Sequence, residues 1–254
     1  MRAYSAESLV LRTYRYGEAD RIVVFLTEDR GKKRGAAPNA TASRRRFGGA
    51  LEPLTQGRVA YVEREHRDLV RLDRIELRRS PLGAAQGRPV DDAAHVLGHA
   101  AYFAELLDEW APEGAPNERL FRLGAAVSEA LCRGGSVEAL ARYFEYWLMR
   151  LEGVYPGLTA CPRCGRSLDD GAALVAAEHA YVCWSCTPGG TRLSGQAVAF
   201  IRAAATRTPA DVARDAAPLS ILREIESVHH ALIGLHLERE PRSARIVREL
   251  RPES

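Results

Sequence analysis

Four cysteines constrain this chain more than any other feature. They fall as Cys161-Pro-Arg-Cys164 and Cys183-Trp-Ser-Cys186, with eighteen residues between the pairs, the spacing of a four-thiolate zinc ribbon. Each C-x2-C pair turns two sulfurs toward one point, and two such turns complete a tetrahedron with no position left for water. One structural Zn2+ is therefore expected on Cys161, Cys164, Cys183 and Cys186. The competing reading, a pair of disulfides, requires an oxidising compartment. The N-terminus, Met1-Arg-Ala-Tyr-Ser-Ala-Glu7, lacks the apolar stretch of a signal peptide. No run approaches the roughly twenty apolar residues of a membrane span. A cytoplasmic location away from membranes is expected, and it agrees with reduced thiolates. The fifth cysteine, Cys132, lies in a helical pattern and reads as a small buried apolar residue.

A chain of 254 residues allows one large domain or two ordinary ones. Its net charge of +3 conceals an asymmetry. Residues 1–80 hold 18 Lys and Arg against 11 Asp and Glu, whereas residues 81–254 hold 18 against 22. A basic first third is the footprint expected of a unit that meets a polyanion, although a solvated basic face gives the same count.

That first third reads as β structure. Leu9–Leu11 and Arg21–Thr27 are short apolar runs parted by a turn at Gly17, and Gly57–Glu63 and Asp68–Leu72 are parted by the polar turn Arg64–Arg67. Several short strands in about eighty residues predict a small closed barrel, and a five-stranded OB-fold fits that size. Between the strand pairs lie the densest basic clusters, Gly31-Lys-Lys-Arg-Gly35 and Ser43-Arg-Arg-Arg-Phe-Gly-Gly49. Cations beside phosphates release condensed counterions, which gives salt-sensitive binding independent of sequence. Lys32, Lys33, Arg34, Arg44, Arg45 and Arg46 are the candidate DNA-binding residues. Flanking glycines would let the backbone approach a strand. Phe47 reads either as a ring that stacks on a base or as a core aromatic.

After the connector Pro81–Arg88 the apolar period changes from two to about three and a half. The expected domains are a barrel over 1–80 and a helical domain over 81–254, with the ribbon inserted at 158–192. Helices are predicted for Pro89–Trp110, Asn117–Arg133, behind Ser136 to Leu151, behind Ser194 to Ala205, from Pro218, and for Ser243–Leu250. The fold class is thus α+β: an N-terminal OB-fold barrel followed by an all-α domain carrying a four-cysteine ribbon.

Motifs for catalysis are missing. The chain has no phosphate-binding loop, no dinucleotide fingerprint, no nucleophile elbow and no H-E-x-x-H. His95 and His99 share a helix face, yet position 96 is Val, and the adjacent His229 and His230 point apart. The two complete cysteine pairs leave zinc no vacancy for the activated water of a deaminase. No enzyme activity is expected.

The motifs Leu9-Val-Leu-Arg-Thr13, Tyr16-Gly-Glu-Ala-Asp-Arg21, Thr27-Glu28 before Gly31-Lys32, Arg46-Phe-Gly-Gly-Ala-Leu51, Arg67-Asp-Leu69, the cysteine pairs and Arg242-Ser-Ala-Arg245 occur in this order along nearly the whole chain. Together the sequence resembles the RecO-type recombination mediators of bacterial DNA repair. The resemblance implies a non-enzymatic, cytoplasmic, nucleoid-associated protein that binds single- and double-stranded DNA and anneals complementary strands. It also implies cooperation with RecR, contact with the acidic tail of single-stranded DNA-binding protein, and indirectly the loading of RecA. One departure stands out: where such proteins continue their basic run after the third strand, this chain has Pro38-Asn-Ala-Thr-Ala42. Fewer phosphate contacts are expected as a result. A zinc-ribbon adaptor in transcription or RNA metabolism is the competing reading.

Overall fold

The computed structural model describes residues 1–64 and 69–250, apart from the side chains of Arg44 and Asp91. The expected turn at Arg64–Arg67, the strand start at Asp68 and the Arg67-Asp-Leu69 motif lie wholly or partly outside the described residues. The chain divides into two compact units. The first comprises residues 1–133 with the segment from Pro241 onward, and the second comprises Gly134–Glu240.

The first unit is built on a barrel. Strands β1 (Arg2–Tyr16), β2 (Asp20–Thr27), β3 (Gly31–Ala37), β4 (Gln56–Glu63) and β5 (Val70–Arg79) close in the order β1-β2-β3-β5-β4. Neighbours are antiparallel except β3 and β5, whose parallel pairing of Gly35 with Val70 and Ala36 with Arg71 shuts the sheet. This is the OB-fold expected from the strand pattern, and closure removes the exposed edges. β1 serves two partners, with residues 2–9 on β4 and residues 8–16 on β2. A register shift between Val10 and Arg12 coils it from one neighbour to the other. Its outward residues are polar, so the apolar run Leu9–Leu11 marked only its middle.

Val10, Val23, Phe25, Val59, Tyr61 and Leu72 fill the barrel. Phe47, at the end of the short helix α1 (Arg44–Phe47), is 2% exposed and belongs to the same cluster, so its ring is core and not a stacking surface. β3 is the strand that the sequence hid. Its residues Gly31-Lys-Lys-Arg-Gly35 read as a basic loop but pair with β2 along their whole length. The glycine at 35 serves packing, because a Cβ there would lie 1.7 Å from Leu72 Cδ1.

Beyond β5 the chain is mostly helical. The first unit continues with α2 (Pro81–Ala85), α3 (Val90–Trp110) and α4 (Glu118–Arg133). The second contains α5 (Val137–Leu151), α6 (Gly195–Ala204), α7 (Pro209–Arg214) and α8 (Leu219–Leu237). The chain then returns to the first unit in α9 (Arg242–Glu249). Ser136 and Ser194 cap α5 and α6 as their sequences predict, accepting from the N–H groups of Ala139 and Ala197. α3 buries Val96, Ala100, Phe103, Leu107 and Trp110, the stripe read from its 3.6-residue period. α4 is tied to the barrel by Ser128 Oγ donating to Leu54 O and by Gln56 Nε2 donating to Ala125 O. Between α5 and α6 run β6 (Gly171–Val175), β7 (Ala180–Val182) and β8 (Thr191–Ser194), a small sheet in the order β7-β6-β8. No helix among the described residues is long and apolar enough to cross a membrane.

Candidate metal centre and nucleic-acid interface

The two cysteine pairs converge. The sulfurs of Cys161, Cys164, Cys183 and Cys186 all lie within 4.8 Å of one another, and Cys164 Sγ is 3.6 Å from Cys183 Sγ. Zinc–sulfur bonds of about 2.3 Å in a tetrahedron place sulfurs about 3.8 Å apart, so the donor set fits a metal ion. Local hydrogen bonds shape the first turn: Cys161 N donates to Arg166 O, and Gly165 N donates back to Cys161 O. Gly165 takes a φ of 73°, which a residue with a side chain rarely adopts. Cys186 N donates to Cys183 O in the second turn.

The sulfurs are chemically unequal. The backbone N–H of Cys183 holds the Cys161 thiol down at about 6. Hydrogen bonds of its own thiol to the Cys164 and Cys183 sulfurs, with desolvation, push Cys186 up to about 12. Thiols this close hold protons against one another, and a divalent cation between them relieves that repulsion. Cys161 and Cys183 are buried while Cys164 is exposed. The fifth cysteine, Cys132, is remote in sequence and half-buried, and its thiol is pushed up by burial.

A buried polar chain stands behind the sheet in the second unit. Tyr181 OH, on β7, donates to Tyr155 OH at 3.2 Å. Tyr155 OH lies 3.2 Å from His229 Nε2, and His229 Nδ1 lies 3.0 Å from Glu145 Oε2. A carboxylate only accepts, so Nδ1 carries the hydrogen and Nε2 accepts from Tyr155. Arg142 Nη2 closes the chain on Glu145 Oε1 at 2.9 Å. Burial alone would raise the Glu145 carboxyl, but Arg142 and the His229 hydrogen bond outweigh it and hold it well below its usual range. Burial keeps His229 below its ordinary value and hence neutral. This network joins α5, α8 and the ribbon sheet.

The six candidate cations are not one cluster. Consecutive residues of a strand face opposite sides, and Lys32, Lys33 and Arg34 are dispersed accordingly. Lys32 is 7% exposed. Its Nζ donates to Asp108 O at 2.6 Å and lies 3.3 Å from Asp108 Oδ1 and 3.6 Å from Glu113 Oε1. Its charge is committed inside the first unit. Lys33, on the other face, meets Glu63 Oε1 at 2.9 Å. Arg34 stays over half exposed and meets Glu113 at 3.1 Å, a type of contact that contributes little in water. Arg45 is exposed and, among the described residues, has no ion pair. Arg46 is held by Ser43 Oγ and Pro38 O, with its guanidinium 5.1 Å from the Phe47 ring. The side chain of Arg44 lies outside the described residues.

Two family models divide the chain between them. "Recombination protein O N terminal" matches residues 1–81 and "Recombination protein O C terminal" matches residues 93–245. The chain belongs to the RecO family. The DNA repair protein RecO of Koribacter versatilis is 43% identical over 178 residues, 70% of each chain. That of Anaeromyxobacter sp. (strain K) is 36% identical, covering 96% of this chain and 95% of its own length. That of Geobacter sulfurreducens is 34% identical, covering 99% of this chain and all of its own. Membership supports a role in DNA repair and recombination, and DNA binding accords with it.

For a RecO-family chain, the sequence missed exposed cations that lie outside dense clusters. Arg58 on β4 and Arg78 on β5 converge on the one carboxylate of Glu7, at 2.7 and 2.9 Å. Twenty residues separate them in sequence, and the β4–β5 pairing brings them together. The ribbon's arginines have local partners. Arg163 bonds Glu178, Arg166 bonds Ser185, and Arg192 lies 5.7 Å over the Trp184 ring.

Proposed function

We propose that the chain is a recombination mediator that binds single- and double-stranded DNA, anneals complementary strands and performs no covalent catalysis. The supporting observation is a closed five-stranded OB-fold with exposed outer-face arginines, in a chain of the RecO family. Complementary strands repel through their phosphates. A surface that neutralises both lowers the encounter barrier without making or breaking a bond. The phosphate contacts are assigned to Arg34, Arg44, Arg45 and Arg46, with Lys33 beside Glu63; Lys32 is assigned an internal role. Nucleic-acid binding is assigned to the barrel over residues 1–80; residues 81–254 supply the helices, which the two compact units share, and the ribbon at 158–192.

In this reading the ribbon's ion is Zn2+, since four thiolates in a closed tetrahedron select a soft divalent ion and leave no open position. It acts in folding. The protein works in the cytoplasm at the nucleoid. It acts with RecR, meets the acidic tail of single-stranded DNA-binding protein and so assists RecA loading, as the family resemblance implies. Annealing of complementary oligonucleotides, bare and coated with single-stranded DNA-binding protein, tests the proposal. Acceleration of both is expected. Binding without annealing of either overturns the mediator reading in favour of a nucleic-acid adaptor.

A further inference from the structure

Within the first unit, β1, residues 40–53, α3 and α9 enclose a cleft of about 760 Å³, a size that takes a nucleotide-scale ligand. Leu11 and Phe47 give it a buried apolar wall, beside the buried Glu105 and Ser243. Its more exposed lining is cationic, with Arg12 from β1, Arg21 from β2 and Arg242 from α9. Arg12 shares its charge with Asp108 at 3.4 Å. Among the described residues Arg21 and Arg242 have no carboxylate partner, and Arg21 donates to the Asp20 carbonyl.

Two carboxylates also line the cleft. Glu105 accepts from the N–H groups of Arg242 and Ser243 and from Ser243 Oγ, so its charge is spent on the first turn of α9. Glu52 is exposed and leaves the cationic excess intact.

The Tyr14 ring completes the site, and Tyr16 lies beyond its lining on the same strand. Tyr14 lines the cleft at 44% exposure, and Tyr16 is 52% exposed. Residues two apart on a strand share a face at a separation of about 6.7 Å. Arg12 Nη1 donates to Tyr14 OH at 3.1 Å and steadies the ring. An apolar pocket rimmed by guanidinium groups, with two rings in line along one strand, matches a chain of planar bases on a phosphate backbone. An acidic peptide would satisfy the arginines but leave the exposed Tyr14 ring without a role.

We propose that this cleft seats an unpaired nucleotide of a single strand, its base against Tyr14 and the apolar lining and its phosphates against Arg21 and Arg242. The inference rests on the nucleic-acid reading above and adds the site and the strand preference. A base inside the cleft is out of the duplex, so the cleft discriminates single from double strands, which the barrel's outer cations do not.

The test is fluorescence anisotropy of the full chain with a labelled oligodeoxythymidylate and with a duplex, across salt concentration. Tyr14→Ala is expected to weaken single-strand binding about tenfold, within the span of one stacked base, and to leave duplex affinity unchanged. Tyr14→Phe, which keeps the ring, retains wild-type affinity. The double variant Arg21→Ala/Arg242→Ala lowers the single-strand log-log salt slope by about 1.4, two contacts at about 0.7 each. Unchanged thermal unfolding shows that these side chains act on the ligand and not on the fold. If Tyr14→Ala and the double variant bind the oligonucleotide as wild type does, the cleft assignment is overturned while the nucleic-acid reading stands. A wild-type chain that binds neither DNA overturns both. Loss of binding to a labelled acidic peptide, with oligonucleotide binding intact, overturns the assignment in favour of a protein partner.

Discussion

The barrel and the ribbon are both small β structures, yet they close by opposite means. In the barrel every strand has two hydrogen-bonded neighbours, and the interior is filled by Val, Phe, Tyr, Leu and Ile side chains of β1, β2, β4 and β5 closed over Ala37 of β3. In the ribbon β7 is three residues long, β7 and β8 each pair only with β6, and the chain on either side is drawn together at the four sulfurs. The barrel's stability is spread over many contacts. The ribbon's is concentrated at one point, so it should respond to a single reagent in an all-or-none way.

Metal removal should produce the largest effect. Structural zinc contributes about 10 to 16 kcal/mol of apparent binding free energy in zinc-finger peptides, more than the whole stability of many domains. Chelation, or Cys183→Ser, is expected to unfold the second unit in a transition well below that of the first. Single-strand binding by the barrel should persist between the two transitions. Calorimetry and circular dichroism with and without a chelator check this. Loss of DNA binding on zinc removal with thermal unfolding unchanged would falsify the division of labour and make the ribbon a contact surface.

Next in size is the buried network of the second unit. Glu145→Ala leaves the guanidinium of Arg142, which is 4% exposed, with only the longer 3.8 Å contact to Glu226 among its ion pairs in the described residues, and removing one partner of a buried pair costs about 3 to 5 kcal/mol. Denaturant unfolding reads this directly. The same groups set an acid sensitivity. His229 is held below its ordinary 6.5 in the fold, so as pH falls below 6.5 the unfolded chain takes up a proton that the folded chain refuses. Glu145 is held below 4.5, so its contribution is complete above that value and is lost on further acidification. Both favour the unfolded state at low pH. The second unit should therefore lose stability from about pH 6.5 downward, and His229→Gln should flatten the upper part of that curve.

Leu72→Ala is the matching perturbation of the barrel. Leu72 is fully buried against Gly35, and emptying such a site costs about 2 to 5 kcal/mol. The loss should fall on the first unit's transition and leave metal binding, measured by cobalt substitution, unaltered. A shift in cobalt affinity would contradict the separation of the two regions.

What the sequence disclosed follows the range over which each signal acts. The cysteine site was legible because C-x2-C is a local geometry, and α3, α5 and α8 were legible because their apolar stripes repeat along one element. β3 was not. Its inward positions include Gly35 and Ala37, too small to register as a hydrophobic run, and its outward Lys32 is covered by the chain near Asp108 and Glu113. The chain Tyr181–Tyr155–His229–Glu145 was invisible for a different reason: its members are scattered over 85 residues of sequence and meet only in the fold. Arg58 and Arg78 were missed because density along the chain, and not pairing across strands, guided the choice of cations.

The smallest expected effect separates those two kinds of cation. Lys32 and Arg45 belong to two basic clusters that the sequence gives one role, yet the first is enclosed by Asp108 and Glu113 and the second faces water. A cation already neutralised by fixed carboxylates releases no counterion when DNA arrives, whereas an exposed one does. Arg45→Ala should therefore lower the single-strand salt slope by about 0.7 with no change in unfolding temperature. Lys32→Met should leave the slope alone and destabilise the first unit, because Asp108 and Glu113 lose the buried ammonium between them and are left with the more exposed Arg12 and Arg34. If Lys32→Met changed the slope as much as Arg45→Ala does, the barrel would have to open near β3 to bind DNA, and the contrast between a self-closed barrel and an ion-closed ribbon would hold only for the unbound protein.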